Sequence, residues 1–339
     1  MWKTGWKILG GTLVIACIWC WYVEIYTPRR LIEKAVEATA KYSKPCDAED
    51  QWGDLDAKPS FMVASKDGLT CRRTTFGDGQ IDICHKPIVA AKPQADKASL
   101  KSNQLKVRFQ SRKQAIDTRS IVDFGGSTMV SSNRDVALAF SNTHIFVGWI
   151  RQEDAAPQEA ITLRMIDIRS GNQRLEKGIY RAACCLVNLA LHYDPKHAKL
   201  LLALNDWSLP DDRNLFFGEL DVNQLLRDNL QFAPKQVAFK DKWDKRNPYF
   251  LRDNDKIYLI YTTGDHWGWL SYSGRQSIGV YTMDETHQPA GYYLVAANRP
   301  LGKVLKIENG YLWYELLSQD ASRIEEIRKI SLNKAFKVL

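Results

Sequence analysis

Few of the residue patterns that announce a particular chemistry occur in this chain. Outside residues 17–20 there is no Cys-x-x-Cys pair, and there are only six histidines. Spacing alone therefore assembles no metal-ligand set. The GGS at 125–127 is a lone turn with no phosphate-binding loop around it. Lysine and arginine are scattered rather than gathered into blocks interleaved with aromatics, which speaks against a nucleic-acid partner. No cofactor is expected.

What is plentiful is aromatic. The 339 residues include 11 Trp, 14 Tyr and 12 Phe, residues that favour strands and recur in binding surfaces. Apolar residues make up 45 % and charged ones 25 %, an ordinary globular balance. The net charge of +8 suits an anionic membrane surface, a glycan or an acidic partner.

Ile8 to Val23 read ILGGTLVIACIWCWYV, without a charge. With Trp6, Ile25 and Tyr26 the run approaches membrane-spanning length. Trp19, Trp21, Tyr22 and Tyr26 suit the interface. The expectation is a cytoplasmic tail at 1–7 and a transmembrane signal anchor at 8–26. A cleaved signal peptide is one alternative; a lipoprotein, with VIAC at 14–17 as its cleavage box and Cys17 lipidated, is another. Residues 28–44 follow as an expected short stalk helix. Ile32, Ala35, Val36, Thr39 and Ala40 form a narrow face, Pro28 lies in the first turn and Pro45 at the end.

Beyond the anchor lie Cys46, Cys71, Cys84, Cys184 and Cys185. Cys71 and Cys84 flank the GDG turn at 77–79 at nearly equal distances, so a hairpin there sets them opposite each other. A disulfide between them is expected, with Cys46 pairing Cys184 or Cys185. Buried free thiols are the alternative.

Residues 120–339 carry a repeat. DVALAFSNTHIFVGWI, LVNLALHYDPKHAKLLLAL, YFLRDNDKIYLIYTT and KVLKIENGYLWYELL each hold two β-prone runs around a polar turn. The turns centre near Asn142, Lys196, Asn254 and Asn309, about 55 residues apart. A third strand follows each phrase, ending at Asp167, Asp221, Asp284 and Asn333, residues that suit a turn without any catalytic role. Weaker fourth strands are RLEKGIYRA, KQVAF, GYYLVAA and AFKVL. Four strands per unit, repeated radially, predict an all-β β-propeller of about five four-stranded blades over 45–339. A β-sandwich or irregular barrel is the alternative.

In a propeller, equivalent loops gather on one face. Those after each second strand read RQEDAAPQEA, NDWSLPDDR, GDHWGWLSYSGR and SQDASR. They offer Arg151, Glu153 and Asp154; Asp206, Trp207, Asp211, Asp212 and Arg213; Asp265, His266, Trp267, Trp269, Tyr272 and Arg275; and Asp320 and Arg323. The candidate ligand-binding set is Arg151, Asp206, Trp207, Asp265, His266, Trp267, Trp269 and Arg275. If the chain is a hydrolase, Asp206 and Asp265 are the carboxylate pair and Trp207 and Trp267 the stacking platforms. The bland alternative is solvated turns.

SYSGRQSIGVY resembles a fragment of glycosidase or sialidase propellers. It lacks the full S-x-D-x-G-x-x-W pattern, so no residue role is carried over. The layout as a whole resembles bacterial envelope proteins with a membrane-tethered β domain, including immunity proteins against secreted toxins. The first expectation is therefore a single-pass inner-membrane protein whose periplasmic domain engages a protein partner without catalysis. The alternative is a carbohydrate-binding or glycan-hydrolysing propeller.

Overall fold

The computed structural model describes residues 12–19, 22, 26–46, 62–64, 70–76, 79–85, 105–111, 120–123, 136–152, 159–167, 173–182, 186–206, 215–225, 232–237, 245–267 and 270–338. These divide into two compact units. One comprises Ala48–Gln236 and Asn247–Tyr249. The other comprises Met1–Asp47, Val237–Arg246 and Phe250–Leu339.

The first unit holds three antiparallel sheets. Strands β2 (Met62–Ala64), β3 (Thr70–Phe76), β4 (Gly79–His85), β5 (Leu105–Ser111) and β6 (Ser120–Asp123) form the first, in chain order. Next come β7 (Val136–Phe140), β8 (His144–Gln152), β9 (Glu159–Asp167) and β10 (Gln173–Ala182). The third sheet is β11 (Leu186–Asp194), β12 (Lys199–Asp206), β13 (Leu215–Asp221) and β14 (Lys235–Gln236). A helical turn, α2 (Val222–Leu225), follows β13. Alternating apolar residues of the second and third sheets make one core, with Phe146, Ile161, Leu163, Leu200, Leu202 and Leu204 among its buried members. Gly148 is needed in that core. A Cβ there would stand 2.9 Å from Leu191 Cδ1 and 3.0 Å from Leu189 Cδ2.

The second unit holds helix α1 (Thr27–Tyr42) and two sheets. Strands β15 (Lys245–Asp253), β16 (Lys256–Trp267), β17 (Leu270–Met283) and β18 (Pro289–Ala296) run side by side, and β22 (Phe336–Lys337) adds to β18. The last sheet is ordered β1 (Lys44–Pro45), β21 (Ile324–Ser331), β20 (Tyr311–Leu317), β19 (Leu301–Glu308). The C-terminal AFKVL therefore does not complete the last repeat. Its residues pair with β18, and the outer strand of the last sheet comes from the segment after α1.

The four phrase turns are hairpin turns. Asn309 and Gly310 both have positive φ, the geometry that a tight two-residue hairpin demands. The third-strand endings act as turn formers. Asp284 accepts from the backbone of Thr286 and Gln288 and from the Thr286 hydroxyl. Asp221 accepts from Asn223 N at 2.8 Å.

The N-terminal expectation is corrected. Among the described residues no helix is long and apolar enough to cross a membrane. Within 8–26, residues 12–19 are helical. The remaining residues of the expected anchor, apart from Tyr22 and Tyr26, lie outside the described set. The transmembrane helix, signal anchor, membrane attachment, single-pass inner-membrane topology and periplasmic placement built on that run accordingly lose their basis. Nor does α1 stand off as a stalk. Ile32, Ala35, Thr39 and Ser43 are buried, and Thr39 Oγ1 accepts from Ala296 N on β18 at 3.3 Å. The small residues that narrow the helix face let it lie close against the sheet. Ser43 turns extended and ends the helix.

The disulfide expectation is corrected as well. β3 and β4 form a hairpin in which Cys71 is paired with Cys84 in register, yet no disulfide is present among the described residues. The side chains of Cys71 and Cys84 and the whole of Cys184 and Cys185 lie outside that set.

Candidate functional site at the ends of the second strands

Each second strand delivers its loop from a strand end. Arg151 lies near the end of β8, paired with Ala160 of β9. Asp206 is the last residue of β12 and pairs with Leu186 of β11. Asp265, His266 and Trp267 lie at the end of β16 and Arg275 lies in β17. Trp207 and Trp269 lie outside the described residues. Asp206 belongs to one unit and Asp265 to the other.

Among the side chains described, a buried polar pair forms at Asp206. Its residue is only 3 % exposed, and the Tyr180 hydroxyl of β10 donates to Oδ2 at 3.1 Å. Tyr180 itself packs edge-on against Phe232, with ring centroids 6.2 Å apart. Burial, then the neighbouring Asp206 charge and the hydrogen bond to it, pushes the Tyr180 hydroxyl up to about 12. The phenol therefore keeps its proton at any physiological pH and stays a donor to the carboxylate.

Beside this pair, Asn188 Nδ2 donates to Asn205 Oδ1 at 3.2 Å, and both residues are buried. Asn188 has φ of 57° and lies where the β11–β12 register shifts between Val187 and Ala190. Such a bulge re-aims the chain at a sheet end. Sequence reasoning found Asp206 and missed Tyr180, Asn188 and Asn205. The Asn188 backbone reversal carried one signal, since asparagine tolerates positive φ better than most residues.

In the other unit, the stretch read as a loop at 263–275 is largely strand. The β16–β17 hairpin continues to Trp267 opposite Leu270. Its register shifts between Gly264 and His266, so the Asp265 backbone sits at the bulge. At its base the opposed Thr263 and Ser277 are both buried, and their hydroxyls have no hydrogen-bond partner.

The fourth loop is a self-contained turn. Asp320 accepts from Ser318 Oγ at 2.5 Å, Ser322 Oγ at 2.8 Å and Ser322 N at 3.1 Å. The Ser318 and Ser322 hydroxyls, followed by the Ser322 backbone bond, bring its carboxyl down to about 2. Asp320 is thereby committed to the turn.

By sequence the chain matches no protein-family profile and no curated protein. Several solved structures follow a similar chain course. The GH43 endo-arabinanase from Bacillus licheniformis is 12 % identical, with 79 % of this chain and 95 % of that one covered at a TM-score of 0.40. The GH93 α-L-arabinofuranosidase of Fusarium graminearum is 8 % identical, with 82 % and 98 % covered at 0.42. The GH43_1 enzyme from Xanthomonas citri, solved with xylose, is 12 % identical, with 87 % and 92 % covered at 0.41. No residue role is transferred from these likenesses. They do not resemble the expected membrane-anchored, non-catalytic module with a protein partner. That expectation, already without its anchoring helix, is not carried further.

Proposed function

We propose that the protein is carbohydrate-active and hydrolyses glycosidic bonds, with Asp206 as a catalytic carboxylate. The observation that carries this reading is the Asp206 cluster itself. A buried carboxylate closes a central strand of its sheet and receives a hydrogen bond from a permanently protonated phenol. In the sequence it is followed at once by Trp207. A fixed carboxyl group supplies acid, base or nucleophile in glycoside hydrolysis, and an indole offers a sugar its apolar face.

Asp265 is a second candidate carboxylate, considered by itself in the other unit. Its backbone lies at a register shift of the β16–β17 hairpin, within a stretch of sequence that also contains His266, Trp267, Trp269 and Arg275. Arg151 lies next to the last residue of β8 in the second sheet. Arginines and aromatics of this kind orient hydroxyl-rich ligands and their charged substituents.

The test is release of reducing ends from a panel of neutral and acidic polysaccharides by the full chain. Asp206→Asn and Asp265→Asn are assayed separately. The reading expects each to lower turnover by about 100-fold or more, the scale of lost general acid–base catalysis. An Asp206→Asn protein as active as the parent overturns the assignment. A folded parent that releases no reducing ends from any substrate overturns the function.

A further inference from the structure

In the last sheet, which belongs to the unit that contains α1, three carboxylates are each met by a cation. Glu308 pairs with Lys306 at 2.7 Å, Glu326 with Arg328 at 3.4 Å and Glu325 with Arg323 at 3.8 Å. Glu315 of β20 is more deeply buried than these, at 9 % exposed. Among the described residues no cation pairs with it. Its bond there is to the Lys303 N–H, which donates to Oε2 at 3.0 Å, and Oε1 has no partner among them. A carboxylate withdrawn from water is costly unless it is paired or fully hydrogen-bonded.

Strand register accounts for how Glu315 is held. Leu301 pairs with Leu316 and Val304 with Tyr314, so Gly302 and Lys303 bulge opposite Glu315 alone. A bulge takes a residue out of the hydrogen-bond ladder, and Oε2 receives the Lys303 N–H. Gly302 makes the room, since a Cβ there would stand 2.5 Å from Oε2 and 2.7 Å from the Glu315 Cβ. Register does not account for the acid. The third sheet has the same irregularity, with Val187 paired to Asn205 and Ala190 to Ala203. Asn188 and Leu189 therefore bulge opposite Leu204, which is buried in the apolar core. A bulge at this place folds with leucine opposite it, and in the third sheet it adjoins Asp206.

We infer that Glu315 is a ligand-contacting residue whose Oε1 accepts hydrogen bonds from the hydroxyl groups of a neutral sugar. The inference rests on the carbohydrate reading and names the charge class of the glycan. A sugar hydroxyl supplies the donor that this oxygen lacks, and hydrogen bonds to a carboxylate are among the stronger ones. A uronate or sulfate group would meet like charge there. Glu315 lies two residues before the end of β20, near the loop that follows this second strand. The Lys303 bond and the close packing on Gly302 fix the side chain in advance, which spares the entropy of ordering it on binding.

Co-sedimentation of the full chain with cellulose, cross-linked dextran, cross-linked galactomannan or cross-linked polygalacturonate tests the contact. All are run in about 0.5 M salt, where the net charge of +8 is screened over a few ångströms. Binding is expected to at least one neutral polymer and not to polygalacturonate. Glu315→Gln keeps the side-chain volume and an acceptor for the Lys303 N–H while removing the charge. It is expected to weaken binding about tenfold, equivalent to about 1.4 kcal/mol, with a urea midpoint equal to or above that of the parent. A purely structural role predicts the reverse, so a destabilised Glu315→Gln, or one that binds like the parent, overturns the contact. Binding to polygalacturonate alone also overturns it. Asp206→Asn retains binding. Glu315-dependent binding without hydrolysis of any substrate supports the contact and removes the catalytic reading. Hydrolysis lost in Asp206→Asn but undiminished in Glu315→Gln overturns the contact alone. Neither binding nor hydrolysis overturns both.

Discussion

Gly279 shows how tightly individual positions are constrained. It pairs with Tyr261 across β16 and β17, and a Cβ there would lie 2.2 Å from Tyr261 Cε2. Strand glycines often mark such close approach. Gly279→Ala should destabilise the protein by about 1–3 kcal/mol or more, the cost of overpacking, read as a lower midpoint in urea unfolding. Thr263 and Ser277 give the opposite expectation. Their buried, unpartnered hydroxyls are costly to retain. Thr263→Val with Ser277→Ala should therefore be neutral or stabilising in the same assay, and a clear loss would mean that the hydroxyls hold water or ligand.

Asp320 gives a pH test. Its folded carboxyl, at about 2, lies below the ordinary aspartate value near 3.9. The stability it contributes is thus present above pH ~4 and is lost as pH falls through about 2. Asp320→Ala should be less stable than the parent at pH 7, and the two curves should converge towards pH 2.

At the scale of elements, residues 43–46 are the joint of the second unit. Arg328 Nε donates to Ser43 Oγ at 2.9 Å and Nη2 to the Ser43 carbonyl at 3.0 Å. Ser43 Oγ and the buried Tyr314 hydroxyl share a bond at 2.7 Å. Burial raises the Tyr314 phenol above its usual range, so it remains neutral in this network. Ser43→Ala leaves part of the network unsatisfied. It should cost about 1–3 kcal/mol, with protection from hydrogen exchange falling first in β1 and β21.

The long hairpins were legible because their turns carry Asn, Asp and Gly between β-prone runs. The short strands were not. β1, β14 and β22 are two residues long, too short to show alternation, and β1 and β22 pair with sheets remote in sequence. AFKVL consequently looked like the end of its own repeat. The helical face was readable from Ile32, Ala35 and Thr39, but not the surface it covers. GDHWGWLSYSGR looked like a loop because its glycines and polar residues break alternation, whereas the structure extends the hairpin around a bulge.

For the whole molecule, the repeated phrases conveyed a succession of antiparallel meanders, and the described residues form five sheets. Compartment and partner were the weaker inferences. Both leaned on the apolar run at 8–23, and hydropathy states that a segment can leave water without stating where it goes. The candidate site was half legible. Asp206 stood out as an acid beside Trp207, but Tyr180 lies 26 residues earlier, and only the fold brings its hydroxyl to the carboxylate.

The most direct test of the account is polysaccharide hydrolysis by the parent and by Asp206→Asn, with both shown by circular dichroism to be folded. The account predicts reducing-end release by the parent and a loss of about 100-fold or more in the variant. Equal activity in the two proteins, or none in the parent on any glycan, would contradict it.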